Sequence, residues 1–207
     1  MVYKNFILRF LSSVLLFVIY FISLNQLYTL FFFGLLLYLI ILFEVYKFFN
    51  NYYLFITCYL IFSFLNFYIY VFNNFELRIF NLLILVIIIF DTFSYLIGKF
   101  FGKKFLLKKI SPNKTIEGLF GGVFFTNIFY IILVLFSYEN FDLKIFILIH
   151  LIIFFALFGD LLQSFFKRKN NIKDSSNFLP GHGGFFDRFD SLISSIILLN
   201  IFNYFYL

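Results

Sequence analysis

Long apolar runs separated by short polar stretches fill most of the 207-residue chain. A helix needs about 20 mostly apolar residues to cross a membrane. Seven runs approach this length, at roughly 6–24, 27–46, 52–72, 79–97, 119–137, 145–163 and 189–207. The pattern therefore predicts an all-α fold, a polytopic integral membrane bundle of about seven transmembrane helices.

The first run could be mistaken for a signal peptide, because Lys4 and Arg9 precede it. It is too long for one, and no small-residue cleavage site follows it. We therefore expect a retained span.

The composition agrees with lipid as the main solvent. Hydrophobic residues make up 63% of the chain and charged residues 13%, whereas a soluble domain has about 45–50% and about 25%. The single cysteine, Cys58, excludes an internal disulfide and any multi-cysteine metal site. The net charge of +6 could suggest nucleic acid, but in a membrane chain the position of the charges matters more, and we expect no nucleic-acid partner.

The charges indicate a sidedness. All 16 basic residues except Arg78 and Lys144 lie in the N-terminus or in the loops near residue 47, at 98–118 and at 164–188. The positive-inside rule then places the N-terminus and both large loops in the cytoplasm. We expect a multi-pass protein of the cell (inner) membrane with its active site on the cytoplasmic side.

We expect one membrane domain over residues 1–207. Residues 1–80 form lipid-facing scaffold spans, and residues 81–207 form the part that carries the chemistry.

A carboxylate interrupts the fourth span. Asp91 lies about 10 Å inside the helix end at Gly98, at about 1.5 Å per residue, where a charge costs about 2.5–3.5 kcal/mol on insertion scales. Such an acid usually faces a bundle interior or a wet cavity. An interfacial acid that nearby lysines neutralise remains the alternative. Five lysines of the following loop are expected to face anionic lipid headgroups: Lys99, Lys103, Lys104, Lys108 and Lys109.

A second polar stretch covers residues 111–118. Ser111 before Pro112 could cap a short helix. Asn113, Thr115 and backbone amides at that helix start could bind phosphate oxygens, and Lys114 would add a charge. A helix cap that binds no ligand is the alternative.

The third polar stretch, residues 159–191, is the richest. Asp160, Ser164, Lys167 and Arg168 share one helical face, and Asp160 lies at a depth that matches Asp91. Further along lie Lys173, Asp174, the segment Pro180-Gly181-His182-Gly183-Gly184, Asp187, Arg188 and Asp190.

Several carboxylates at one depth would repel each other without a cation. Mg²⁺ takes hard oxygen ligands, commonly one or two carboxylates together with substrate phosphates, and neighbouring lysines and arginines can hold those phosphates. The stretch predicts metal-assisted phosphoryl or nucleotidyl transfer. Interfacial side chains beside a simple turn are the alternative. His182 is expected to contact phosphate or to order the loop.

One pattern of residues runs from Ser164 to Asp190. It resembles the C-terminal signature of phosphatidate cytidylyltransferases (CDP-diacylglycerol synthases). Between its two ends it contains Lys167-Arg168, Lys173-Asp174, Leu179-Pro180 and His182-Gly183-Gly184. Two further segments are also similar to that family: Asp91-Thr92 with Gly98-Lys99, and Ser111-Pro112-Asn113-Lys114-Thr115. The resemblance covers residues 91–191.

The resemblance implies that CTP and phosphatidate react to give CDP-diacylglycerol and diphosphate, with Mg²⁺ as cofactor and a second cation left open. It implies metal ligands at Asp160, Asp187, Asp190 and, less directly, Asp91. It implies phosphate-holding roles for Lys167, Arg168, Lys173, Arg188 and His182, while Asp174 orders the loop or binds metal. Contacts to CTP or the lipid headgroup are expected from Ser111, Asn113, Lys114, Thr115, Ser164, Gly183 and Gly184.

The chain is shorter than is usual in that family, which leaves the lipid-entry route and a homodimer open. Two other function classes are weighed: a CTP-dependent polyprenol or lipid kinase, and a membrane transporter. A transporter predicts polar residues at the membrane midplane, which the apolar runs lack.

Labelling of single cysteines tests the sidedness. In a Cys58→Ser background, Asn140→Cys and Asn177→Cys are expected to react with an impermeant maleimide from opposite sides of the membrane. Labelling of both from the same side would contradict the seven-span topology.

Overall fold

The computed structural model describes residues 26–137, 141–179 and 183–206, with positions 14, 18, 20–22 and 24. Six helices have their bounds within this part of the chain: α1 Leu27–Phe48, α2 Tyr53–Asn73, α3 Leu77–Phe101, α4 Ile116–Ser137, α5 Leu143–Lys169 and α6 Phe186–Tyr206. Five of them, α1 to α5, are long and apolar enough to cross a membrane. The predicted class, a polytopic helical membrane protein, is confirmed. The first predicted span falls mostly outside the described residues.

The last helix, α6, lies among the others. It packs on α5, α2 and α3, and Ile193, Ile196 and Leu199 are almost fully buried there. Its serines are also buried, and the Ser194 hydroxyl donates to the Phe155 carbonyl of α5 over 2.7 Å. A helix surrounded by protein can carry such polar groups because each finds a partner inside the bundle.

Glycines let α3 and α4 approach closely. Gly118 of α4 lies against Gly98 and Ser94 of α3, and a Cβ at Gly118 would lie 2.6 Å from the Ser94 carbonyl oxygen and 3.1 Å from the Gly98 Cα. Gly122, one turn later, faces Phe90 and Ser94. Small residues at such contacts are typical of helix pairs in membranes, where tight packing replaces the hydrophobic effect.

The predicted same-side loops meet at one end of the bundle. The Asn170 side chain accepts from the backbone amides of Asn50 and Asn51, over 2.9 and 2.7 Å. Arg168 Nε donates to the Ile110 carbonyl over 3.2 Å. At the opposite end, the Tyr130 hydroxyl donates to the Asp142 carbonyl over 2.9 Å. The alternation of loops inferred from the charges therefore agrees with the fold.

The loop between α3 and α4 contains a hairpin rather than a short helix. Strands β1 Phe105–Leu107 and β2 Ser111–Thr115 pair antiparallel. The expectation that Ser111 starts a helix is wrong, because the residue before a proline favours extended backbone and β1 supplies strand pairing. The helix cap falls later, where Thr115 Oγ1 accepts from the Gly118 amide over 3.1 Å.

The close approach of α3 and α4 leads to a prediction about stability. Gly118→Ala is expected to lower the free energy of unfolding by about 1–3 kcal/mol, because the new methyl group would press on backbone atoms. The measurement is thermal or SDS-induced unfolding in detergent. Phe120→Leu on the same helix, at a side chain 67% exposed, is the control and should change stability little. Equal effects of the two variants would contradict this packing.

Candidate active site

Helix α5, which carries much of the site, is longer than the membrane core is thick. This helix has 27 residues, or about 40 Å at 1.5 Å per residue, and the hydrocarbon core is about 30 Å thick. Asp160, Gln163, Ser164 and Lys167 recur at helical spacing in its last turns. Their polar groups face α6 and the hairpin, as the contacts below show. The predicted face of Asp160, Ser164, Lys167 and Arg168 is thus present, with Arg168 bonded to the hairpin loop at Ile110, and Gln163 belongs to it.

Three carboxylates from three helices form what we call the acidic cluster: Asp91 of α3, Asp160 of α5 and Asp190 of α6. Ser191 contacts both Asp91 and Asp190, and Gly159, the residue before Asp160, lies against α6, where a Cβ would meet the Asp190 carbonyl oxygen. Lys114 of β2 forms an ion pair with Asp160. The hairpin therefore brings one cation to a cluster of three acids.

Hydroxyl groups hold parts of this cluster in place. Ser164 Oγ donates to Asp160 Oδ1 over 3.2 Å, and Ser191 Oγ donates to Asp91 Oδ2 over 3.3 Å. Asp190 is 9% exposed, and its Oδ1 accepts from the Ser191 amide over 2.8 Å. These few donors leave several carboxylate lone pairs of the cluster without a donor among the contacts described here.

Asp187 has a different environment, in which protein donors use both oxygens. Its Oδ1 accepts from Gln163 Nε2 over 2.6 Å and from Lys167 Nζ over 2.7 Å. Its Oδ2 accepts from the Ser175 amide over 2.7 Å and from the Gly184 amide over 3.1 Å. Asp187 thus joins α5 and α6 to the intervening loop.

A buried acid from α1 also reaches this loop. The Glu44 carboxylate is fully buried and accepts from Ser175, Ser176 and two backbone amides at the start of α6. The sequence interpretation assigned α1 to a generic scaffold and missed Glu44, together with Gln163, Ser175 and Ser176. One signal was present, since Glu44 is the only acid in its apolar run, and intramembrane acids are rarely without a role.

The remaining predicted site residues divide into two groups. Ser111 and Thr115 are buried in the hairpin, where Thr115 is occupied as a helix cap. Solvent-accessible side chains at this end of the bundle are Asn113, Arg168, Lys173, Asp174 and Arg188. These five can be reached by a ligand.

The glycine-rich segment is described on both sides of residues 180–182. Leu179 pairs with Gly183 as an isolated bridge, and the Leu179 amide donates to the Gly183 carbonyl over 2.9 Å. Gly183 has φ +84°, a conformation that favours glycine. The two ends of the predicted tight loop therefore lie next to each other, and its middle lies outside the described residues. His182 lies outside the described residues, so its role stays a prediction.

The acidic cluster fits a magnesium ion by donor chemistry. Among the residues that the structure describes, no group of three or more His, Cys, Asp or Glu side chains is arranged to hold a metal ion. Mg²⁺ does not require one, because substrate phosphates and waters complete its shell around one or two carboxylates. Asp91, Asp160 and Asp190 supply hard oxygens with one lysine as countercharge, whereas Asp187 is already saturated by protein donors.

These features define a polytopic helical membrane protein with a carboxylate-rich polar site at one end of the bundle. Comparison with known families makes the class specific. The model of the cytidylyltransferase family matches residues 2–206, and the chain belongs to this family.

Curated relatives carry a narrower name. Phosphatidate cytidylyltransferase of Staphylococcus aureus (strain COL) is 45% identical over 120 residues, 56% of this chain and 45% of the relative. The protein of that name from Staphylococcus haemolyticus is 44% identical over 118 residues, and the one from Staphylococcus epidermidis is 41% identical over 118 residues, with the same coverage. The chain spans about half the length of the curated relatives it matches.

The Lys167–Asp187 ion pair makes a prediction about stability. Its side chains are only 14% and 9% exposed, and removing one partner of a buried pair costs about 3–5 kcal/mol. Lys167→Met and Asp187→Asn should each destabilise the protein. The double variant should cost less than the sum, by about 1–3 kcal/mol.

The measurement is a double-mutant cycle of unfolding free energies. Lys169→Met is the control, because Lys169 Nζ lies 5.5 Å from the Phe165 ring centroid at an exposed position and should contribute little. Additive effects of Lys167→Met and Asp187→Asn would contradict the pairing.

Proposed function

We propose that the protein transfers a cytidylyl group from CTP to phosphatidate, giving CDP-diacylglycerol and diphosphate, in phospholipid biosynthesis. The observation that carries the proposal is the acidic cluster, which meets Lys114 at the bundle end where the basic loops converge. Membership of the cytidylyltransferase family supports the reaction type. The names of the staphylococcal relatives support phosphatidate as the acceptor.

The site would lie at the cytoplasmic face of the membrane. The positive-inside rule favours this side for the hairpin that carries Lys114, the end of α5 that carries Lys167 and the loop that carries Lys173. CTP would reach the site from the cytoplasm, and the lipid would present its phosphate from the membrane surface. Anionic headgroups would lie beside the exposed lysines of the hairpin.

The reaction requires that the two substrates are aligned and that the charge of their phosphates is neutralised. A phosphatidate phosphate oxygen attacks the α-phosphorus of CTP, the bond from that phosphorus to the bridging oxygen breaks, and diphosphate leaves with the electron pair. The attacking oxygen is already anionic at neutral pH, so no strong general base is required. Proximity and preorganised charge are the contributions left to the protein.

Acidic and basic side chains of the site would have different roles in this reaction. One or two carboxylates of the acidic cluster, from Asp91, Asp160 and Asp190, would hold Mg²⁺, which neutralises phosphate charge and orients the phosphates when bound. Lys114, Arg168, Lys173 and Arg188 would contact phosphate oxygens. Asp187 would order the loop rather than bind metal, because protein donors use both of its oxygens.

A product assay tests the reaction. Purified protein with phosphatidate, Mg²⁺ and CTP labelled at the α-phosphorus is expected to give labelled lipid and free diphosphate. Transfer of the γ-phosphate to a polyprenol or other lipid alcohol would contradict the proposal and favour a lipid kinase. Absence of any transfer would contradict both.

A variant pair tests the acidic cluster. Asp160→Asn is expected to lower kcat at least 100-fold, because it removes negative charge where the cation would bind, while the protein still inserts and folds. Asp142→Asn is the control, since Asp142 caps the opposite end of α5 and should leave turnover within twofold of wild type. A wild-type rate in Asp160→Asn would remove Asp160 from the metal set.

A further inference from the structure

We infer that Glu44 of α1 is a positioning residue, which holds Ser175, Ser176 and the first turn of α6 in the arrangement that the active site needs. The effect of Glu44 on turnover rests on the proposed function. The effect of Glu44 on the loop rests on geometry alone. It assigns part of the site to a helix that the sequence interpretation regarded as scaffold.

Four donors converge on the Glu44 carboxylate. Oε1 accepts from the Ser176 hydroxyl over 2.6 Å and from the Phe185 amide over 2.8 Å. Oε2 accepts from the Ser175 hydroxyl over 3.2 Å and from the Phe186 amide over 3.0 Å. Both oxygens are therefore saturated by one short segment that lies more than 130 residues away in the sequence.

Burial makes these contacts strong constraints. Glu44 is 0% exposed, and Ser175 and Ser176 are 0% and 4% exposed. No ion pair to Glu44 is seen among the described residues, so hydrogen bonds from this segment stabilise its charge. Loss of the donors would leave a buried carboxylate without solvation, which is costly. The segment is thus held against α1.

The location at a helix start adds to the effect. Phe186 is the first residue of α6, and the amides of a first helical turn lack intrahelical acceptors. A carboxylate there satisfies donors and complements the positive end of the helix dipole. Glu44 therefore fixes where α6 begins, and Asp187 and Asp190 follow within its first two turns.

Glu44 and Asp187 hold the same segment from two sides. Ser175 donates its amide to Asp187, and its hydroxyl shares its single proton between Asp187 and Glu44, with both oxygens within 3.2 Å. Gly184 lies between them, where a Cβ would meet the Ser175 hydroxyl, Glu44 Oε2 and the Ser176 hydroxyl. With both acids in place, Lys173 and Asp174 are presented at the exposed end of a fixed loop.

Hydrogen–deuterium exchange tests the geometry without reference to the reaction. Glu44→Ala is expected to raise amide exchange in peptides covering 174–188 at least tenfold, and Glu44→Gln, which keeps one acceptor oxygen, about threefold or more. The control is Tyr38→Phe on the same helix, where the lost hydroxyl bonds Ser63 over 2.6 Å. It should leave exchange in 174–188 unchanged. If Glu44→Ala does not insert, Glu44→Gln decides alone.

Wild-type exchange over 174–188 in the folded Glu44 variants would overturn the inference. So would an increase spread evenly over all helices, because it would indicate a general loss of stability rather than a held loop.

Steady-state kinetics test the consequence for the site. A loosened phosphate-binding loop is expected to raise KM for CTP at least fivefold in Glu44→Gln, with Tyr38→Phe unchanged. Loss of folded enzyme alone would lower the apparent kcat and leave KM at the wild-type value, which would overturn the positioning role. If wild-type protein transfers no cytidylyl group, the proposed function fails, whereas the exchange result still decides whether Glu44 holds the loop.

Discussion

The hydrogen bonds that Asp187 accepts are the interaction on which the site most depends. They join α5, through Gln163 and Lys167, to the start of α6 and to the loop at Ser175 and Gly184. The loop also has apolar contacts, since Phe178 packs against Phe43 and Phe48 of α1, but its polar groups at Ser175 and Gly184 need partners. A nearly buried carboxylate with several donors supplies the constraint, because each donor left unpaired would cost free energy.

The carboxylates of this end of the bundle fall into two classes with different chemistry. Glu44 and Asp187 are saturated by protein donors, so their charges are used to fix backbone. Asp91, Asp160 and Asp190 have few protein donors and one neighbouring lysine, so some of their oxygens remain available to a ligand. Available carboxylate oxygens next to a basic surface are the arrangement expected where a divalent cation and a polyphosphate bind together. The proposed catalytic work falls to the second class.

The sequence predicted the features that depend on local pattern. Apolar run length predicted the helices, loop charge predicted which loops share one end of the bundle, and helical spacing placed Asp160, Ser164 and Lys167 on one face. It failed in two places. Ser111 extends as a strand because it precedes a proline and because β1, which ends at Leu107, pairs with its strand; these signals are local, and the capping interpretation overlooked them. Glu44 contacts the site because donors more than 130 residues away reach it, and spacing within a short window does not encode those partners.

Mn²⁺ binding, followed by electron paramagnetic resonance with Mn²⁺ in place of Mg²⁺, tests the role of the acidic cluster most directly. In the presence of CTP, wild-type protein and the Asp142→Asn control are expected to bind Mn²⁺ with the same affinity. Asp190→Asn and Asp91→Asn are each expected to weaken binding at least tenfold. Unchanged Mn²⁺ affinity in both cluster variants would contradict the account, because the cation would then lie elsewhere.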